Sequence, residues 1–187
     1  MPDETENNLS ATLKHCQVII FPGGDTRLLV STLREDGLGS IRDFVAQGGS
    51  YLGICAGAYL VAPEVTIQGN PQGLGIINIK NKRISGVGIR TIEIVDNSHP
   101  ITSGYSGEVP VYYQNGPFIV PGEGVKVLAK YKTGRDAAIV VAEYGKGKVI
   151  LFSPHPEGNA QANIKPEEIG TLGLFKNAID FSLSKRK

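Results

Sequence analysis

The sequence predicts a single α/β domain with a parallel sheet at its centre. Three observations carry this. The runs Gln17-Val18-Ile19-Ile20-Phe21 and Ser50-Tyr51-Leu52-Gly53-Ile54 are apolar without alternation. The first stops at Pro22-Gly23-Gly24 and the second runs directly into small residues. Between them, Leu38, Ile41, Phe44 and Val45 recur at helical spacing. A continuous apolar run bounded by Pro and Gly reads as a strand buried on both faces. Strands separated by helices call for parallel pairing through crossovers. At 187 residues the chain fits one domain. A domain of that size buries enough surface to fold without disulfides.

Residues 1–10 are acidic and polar and are expected to be disordered, with a helix ending near Leu13–Cys16. Asp25 and Thr26 can start a helix. The helix over 38–47 is closed by Gly48-Gly49. Cys55 to Ala62 suits a buried helix because its residues are small and apolar. Residues 64–150 change character to a β-rich insertion, with strands expected at 87–89, 91–95, 109–113, 125–131 and 137–143. Gly145-Lys146-Gly147-Lys148 is a hairpin signal. Val149–Phe152 is the last buried strand. Residues 166–183 form an amphipathic terminal helix with Ile169, Leu172, Phe175, Ile179 and Phe181 as its candidate core. Lys185-Arg186-Lys187 reads as a solvated end.

Charge and cysteine usage narrow the function. Lys plus Arg total 19 and Asp plus Glu total 18, so nothing attracts a nucleic acid or an anionic membrane. No apolar run approaches the ~18 residues of a membrane span. The N-terminus is the reverse of a signal peptide, so a cytoplasmic, reducing setting is expected. Cys16 and Cys55 show no metal-ligand spacing, and no metal or other cofactor is expected.

Three segments close apolar strands: Pro22-Gly23-Gly24, Gly53-Ile54-Cys55-Ala56-Gly57 and His155-Pro156-Glu157. Ligand sites of open α/β sheets form at that edge. The second has the form of a nucleophile elbow, with small residues flanking a strained central position. A helix starting just after Cys55 favours a thiolate there. The plainer reading is a small buried hydrophobe. A nucleophilic Cys needs a base, and the base needs an orienting group. His155 follows an apolar strand. Glu157 lies two residues on, past Pro156, on the same side of an extended segment. His99 and His15 read as a turn residue and a helix-end residue. Acyl chemistry also needs oxyanion donors. Ala56 can supply one N–H, and Gly23-Gly24 lets a second approach unobstructed, although the pair also fits an ordinary turn. Tyr112-Tyr113-Gln114-Asn115-Gly116 fits either an arm over the site or an exposed hairpin, the simpler of the two. Gly23, Tyr59, Tyr113 and Asn115 are the candidates for substrate contact.

These three blocks together resemble the signatures of the class I glutamine amidotransferase-like superfamily. The stretch Gly48 to Tyr59 is similar to the amidotransferase-like domain at the N-terminus of eukaryotic biotin–protein ligases. The resemblance covers about residues 17–158. It implies a flavodoxin-like three-layer sandwich with a mostly parallel central sheet. It implies a Cys55–His155–Glu157 triad with Gly24 and Ala56 as oxyanion donors. Two positions depart from the pattern. Working glutaminases carry a His-Gln pair after the elbow glycine, the Gln helping to hold substrate, where this chain has Ala58 and Tyr59. The family's first strand–helix unit is also expected to be absent, because the protein is a shortened version or because the unit lies upstream, and an edge left exposed tends to recruit another chain. A homodimer or a covering segment is therefore expected, and strictly monomeric light scattering across concentrations would count against it.

Three functions fit the residues. The first is an amidohydrolase or amidotransferase-like enzyme acting on a small amide, with an acceptor subunit of unidentified nature. The second is a cysteine peptidase-like hydrolase of short peptides. The third is a non-catalytic binding or regulatory domain that keeps the scaffold.

Overall fold

The computed structural model describes residues 4–66, 69, 71–160 and 162–184. The basic triplet Lys185–Lys187 lies outside the described residues. Its chain order is α1 (Glu4–Leu13), β1 (Val18–Phe21), α2 (Thr26–Ala46), β2 (Ser50–Ile54), α3 (Ala56–Leu60), β3 (Ile79–Arg83), β4 (Val87–Ile94) and a 3-10 turn (Pro100–Thr102). Then follow β5 (Gly107–Gln114), β6 (Pro117–Pro121), β7 (Lys126–Tyr131), β8 (Ala137–Tyr144), β9 (Gly147–Phe152) and α4 (Leu172–Leu183).

The parallel core consists of β1, β2 and β9, with Ile19 beside Tyr51 and Leu52 beside Ile150. From β9 the sheet continues antiparallel through β8, β7, β4 and β5, while β6 pairs with both β3 and β8. Strands β2 and β9 feed both faces. Tyr51, Val149 and Leu151 enter the core cluster that Ile41, Val45 and Leu60 of α2 and α3 complete. Leu52, Ile54, Ile150 and Phe152 enter the opposite cluster, with Leu174 and Ala178 of α4. Burial on both sides explains the lack of alternation in these two runs. The result is three layers, helix–sheet–helix, as the α/β reading required.

Asp25 caps α2 by accepting from the Arg27 N–H. At its other end the Gly48 and Gly49 N–H groups return to Val45 and Phe44 carbonyls, as the Gly-Gly pair predicted. Helix α2 starts well before residue 38, and a non-helical Arg34 interrupts it. Tyr144 opposes Gly147 across the expected hairpin.

Several expectations are corrected. Residues 4–13 form α1 rather than a disordered start. Strand β1 is not buried on both faces: among the described residues it pairs only with β2, and Ile20 is 39% exposed. Residues 87–94 are one strand. Strands β3 and β6 were not anticipated. Lys and Arg dominate β3, and β6 begins and ends with Pro, which sequence reading takes as a breaker. The terminal helix starts at Leu172 and buries Leu174 and Ala178, while Ile169 and Phe175 are only partly covered. Tyr112 and Tyr113 are buried and belong to no exposed hairpin. Among the described residues, no helix is long and apolar enough to cross a membrane.

Candidate active site

The three parallel strands end level with one another. Phe21 pairs with Gly53, Gly53 with Leu151, and Ile54 with Phe152. The segments that follow, 22–25, 55–57 and 153–160, therefore meet at one sheet edge. They open onto a cleft of about 870 Å³ lined by Gly23, Gly24, Cys55, Tyr59, His155 and Glu157. Cys16 lies elsewhere, exposed, in a hollow at the other ends of these strands.

Cys55 sits between β2 and α3 with φ 51° and ψ −101°. A side chain in such a conformation costs on the order of 1–3 kcal/mol. The surroundings enforce it. The Cys55 N–H continues the β9 ladder to the Phe152 carbonyl at 2.9 Å, and its carbonyl accepts from Ala58 and Tyr59 at 3.0 and 3.1 Å. The residue thus ends a strand and begins a helix at once. Both elbow glycines have a steric cause. A Cβ on Gly57 would strike the Phe21 carbonyl, and one on Gly53 would lie 2.7 Å from the Gly57 oxygen. The buried Tyr51 hydroxyl donates to that same oxygen at 2.7 Å, fixing α3 against the sheet.

His155 is 7% exposed. Its backbone N–H donates to Tyr112 at 2.7 Å, and Thr171 Oγ1 holds the Pro156 carbonyl at 2.8 Å. The ring Nδ1 donates to Glu157 Oε1 at 2.8 Å, which fixes the tautomer. Nε2 is buried with no hydrogen-bond partner among the described residues. Burial pulls the His155 pKa down. The adjacent Cys55 sulfur and the Glu157 carboxylate outweigh burial and push it up to about 9. In the resting geometry the thiol hydrogen goes to Gln114, not to Nε2. The raised value therefore belongs to the arrangement in which the sulfur has given up that hydrogen.

The Ala56 N–H occupies the first helical position, where the helix supplies no acceptor. Gly24 lines the cleft. Gly23 lines the cleft, and a Cβ there would lie 2.5 Å from His155 Cε1. Its bare backbone makes room for the imidazole.

Tyr59 and Asn115 line the cleft, and Tyr113 does not. Tyr113 points into the core, edge-on to Phe118 and Tyr131 with Arg90 over its face, and its hydroxyl donates to Gly116. Strand alternation is the reason: Gln114, one residue on, faces the cleft instead. Gln114, Arg83 and Asn159 were not singled out. Arg83 comes from the unanticipated β3, and a period-2 reading of β5 would have found Gln114. Among the described residues, no cluster of three His, Cys, Asp or Glu could hold a metal ion.

The chain matches the family model described as biotin–protein ligase, N terminal, over residues 11–87 and 80–180. It is 27% identical over 171 residues to the biotin–protein ligase of Schizosaccharomyces pombe, covering 78% of this chain and 26% of that protein. It thus spans about a quarter of that relative's length. It is 40% identical over 175 residues to the pyridoxal 5′-phosphate synthase subunit PdxT of Deinococcus radiodurans, covering 90% and 84% of the two chains. Among solved structures, a glutamine amidotransferase superposes with a TM-score of 0.58 at 24% identity, over 92% of this chain and 93% of that one. A cytoplasmic protein of Salmonella typhimurium LT2 gives 0.67 at 19% identity, over 94% and 75%, a likeness of fold. With the sheet, the elbow and the matched residues in agreement, the chain belongs to the biotin–protein ligase N-terminal family, within the class I glutamine amidotransferase-like superfamily.

Proposed function

We propose that this chain is a cysteine-nucleophile amidohydrolase or amidotransferase-like enzyme acting on a small amide. Cys55 attacks the amide carbonyl and His155 takes the thiol proton. Glu157 orients the imidazole, and the Gly24 and Ala56 N–H groups receive the developing oxyanion. His155 then protonates the leaving amine. Water, activated by the same ring, hydrolyses the thioester and restores the thiol. The observation that carries this reading is one cleft holding a positive-φ cysteine together with a buried His155 bonded to the half-buried Glu157 at 2.8 Å. Two relatives are named as synthase subunits, PdxT and the imidazole glycerol phosphate synthase subunit HisH. This supports an acceptor subunit that takes up the released ammonia. Among the described residues β1 pairs only with β2, and this edge supports a second copy of this chain as a further partner.

The test is product release from glutamine, other small primary amides and short peptides, read with iodoacetamide labelling of Cys55 against Cys16 over a pH series. Ammonia release with faster labelling of Cys55 is expected. Release of amino acids from peptides alone would favour the peptidase reading. A second reading, a binding or regulatory domain, draws on Tyr59, which stands where glutaminases hold substrate and which bonds the protein's own Asn115. No turnover of any amide, with Cys55 labelled no faster than Cys16, would favour it.

A further inference from the structure

We infer that Tyr59 is a positioning residue that holds the resting Cys55 thiol on a backbone carbonyl instead of on His155, by tethering the turn whose carbonyl accepts the thiol hydrogen. The inference rests on the proposed triad. Cys55 has one hydrogen and two neighbouring acceptors. The Gln114 carbonyl takes it at 3.3 Å. His155 Nε2, buried in the same cleft, is left without a partner. A carbonyl oxygen stabilises S–H and repels a thiolate, so this contact opposes transfer of the hydrogen to the imidazole.

The turn between β5 and β6 that presents this carbonyl is fixed on several sides. Tyr59, one helical turn after Cys55, donates its hydroxyl to the Asn115 carbonyl at 3.2 Å. Asn115 adopts φ 54°, gives its N–H to the Gly86 carbonyl at 2.9 Å and accepts from the Gly86 N–H at 2.9 Å. The Gln114 amide oxygen accepts from Tyr112 Oη at 3.1 Å and Asn159 Nδ2 at 3.0 Å. Gly116 sits against the Ser153 carbonyl with no room for a Cβ. Burial holds the Tyr59 phenol far above its ordinary pKa, so it remains a donor at every working pH.

Loosening this turn lets the S–H bond break and an Nε2–H bond form. A thiolate and an imidazolium paired with Glu157 result, and no other reactant takes part. A substrate amide whose N–H took over the Gln114 carbonyl would release the thiol in the same way. The charged and titratable groups around the thiol are Asp25 just before α2, Arg27 in its first turn, Tyr59 on α3, Arg83 on β3, Tyr113 on β5, Tyr131 on β7, and His155 with Glu157 after β9. Tyr59→Phe alters none of the others and keeps the ring that fills the site.

Labelling of the full chain with iodoacetamide, followed by mass spectrometry from pH 5.5 to 9, tests this. Loss of one neutral hydrogen bond should speed Cys55 labelling at pH 7 by about tenfold. The rise of its pH profile should move to lower pH, with Cys16 as an unchanged internal control. Asn115→Gly keeps the positive-φ backbone but removes the tie to the Gly86 N–H, and should act in the same direction. An unchanged Cys55 rate and profile in both folded variants would overturn the inference. So would an equal acceleration of Cys16, which signals general loosening. If native Cys55 outpaces Cys16 but neither variant changes it, the triad reading stands and only the tether fails. If Cys55 is inert in all three proteins, both fail.

Discussion

Cys55→Ala is expected to abolish amide turnover, and Cys55→Gly to abolish it equally while giving the more stable protein. The loss follows from the proposed chemistry: without the sulfur no thioester forms. Removing the nucleophile of an acyl-transfer triad costs on the order of 10⁴- to 10⁶-fold. The stability difference follows from the backbone. At φ 51° and ψ −101° any Cβ is strained, and alanine inherits that strain from cysteine. Glycine escapes it, at the cost of a more flexible unfolded chain. The conformational strain is the larger effect, so Cys55→Gly should exceed Cys55→Ala by about 1 kcal/mol. In a chain of this length that is roughly 2–4 °C in the melting midpoint. Residual turnover above about one hundredth of native in either variant would remove Cys55 from the nucleophile's role. A glycine variant melting below the alanine variant would mean that the elbow is not strained as its dihedrals indicate.

Gly57→Ala is expected to damage both the fold and the site. The added methyl would meet the Phe21 carbonyl and lie 2.6 Å from Phe21 Cβ. The carbonyl belongs to β1 itself, so no side chain can turn away to make room. Either α3 lifts from the sheet or β1 shifts. Overpacking of this kind costs typically 1–3 kcal/mol. Because α3 starts immediately after Cys55, the shift also moves the thiol and the Ala56 N–H together. Chemical denaturation should show the loss of stability, and turnover should fall well beyond what the unfolded fraction explains. Gly39→Ala is the control. A Cβ at Gly39, inside α2 and away from the cleft, meets nothing within 4 Å and needs no unusual backbone, so stability should not fall. A Gly57→Ala protein as stable as the native one would show that the packing of α3 on β1 is not what the elbow glycine serves.

The sequence by itself determined the parallel core. Strands β1, β2 and β9 are apolar runs that end at turn-forming residues, and such runs have few alternatives once helical periodicity lies between them. It also determined the identity of the candidate chemistry, because Cys55, His155 and Glu157 each follow a strand end and occur in specific local patterns. Strands β3 and β6 escaped it because their pairing is with each other and with β8, across long separations, and overrides poor local propensity. The edge position of β1 escaped it too, since an apolar run does not reveal how many neighbours it will have. What only the tertiary structure decided is where the thiol hydrogen rests. That depends on the Gln114 carbonyl, 59 positions away along the chain, held in place by Tyr59 and Asn159. Hydrogen bonds to backbone carbonyls leave no side-chain signature of the acceptor in a sequence. Residue types point to a candidate nucleophile and base, whereas the fold alone sets which acceptor meets the thiol.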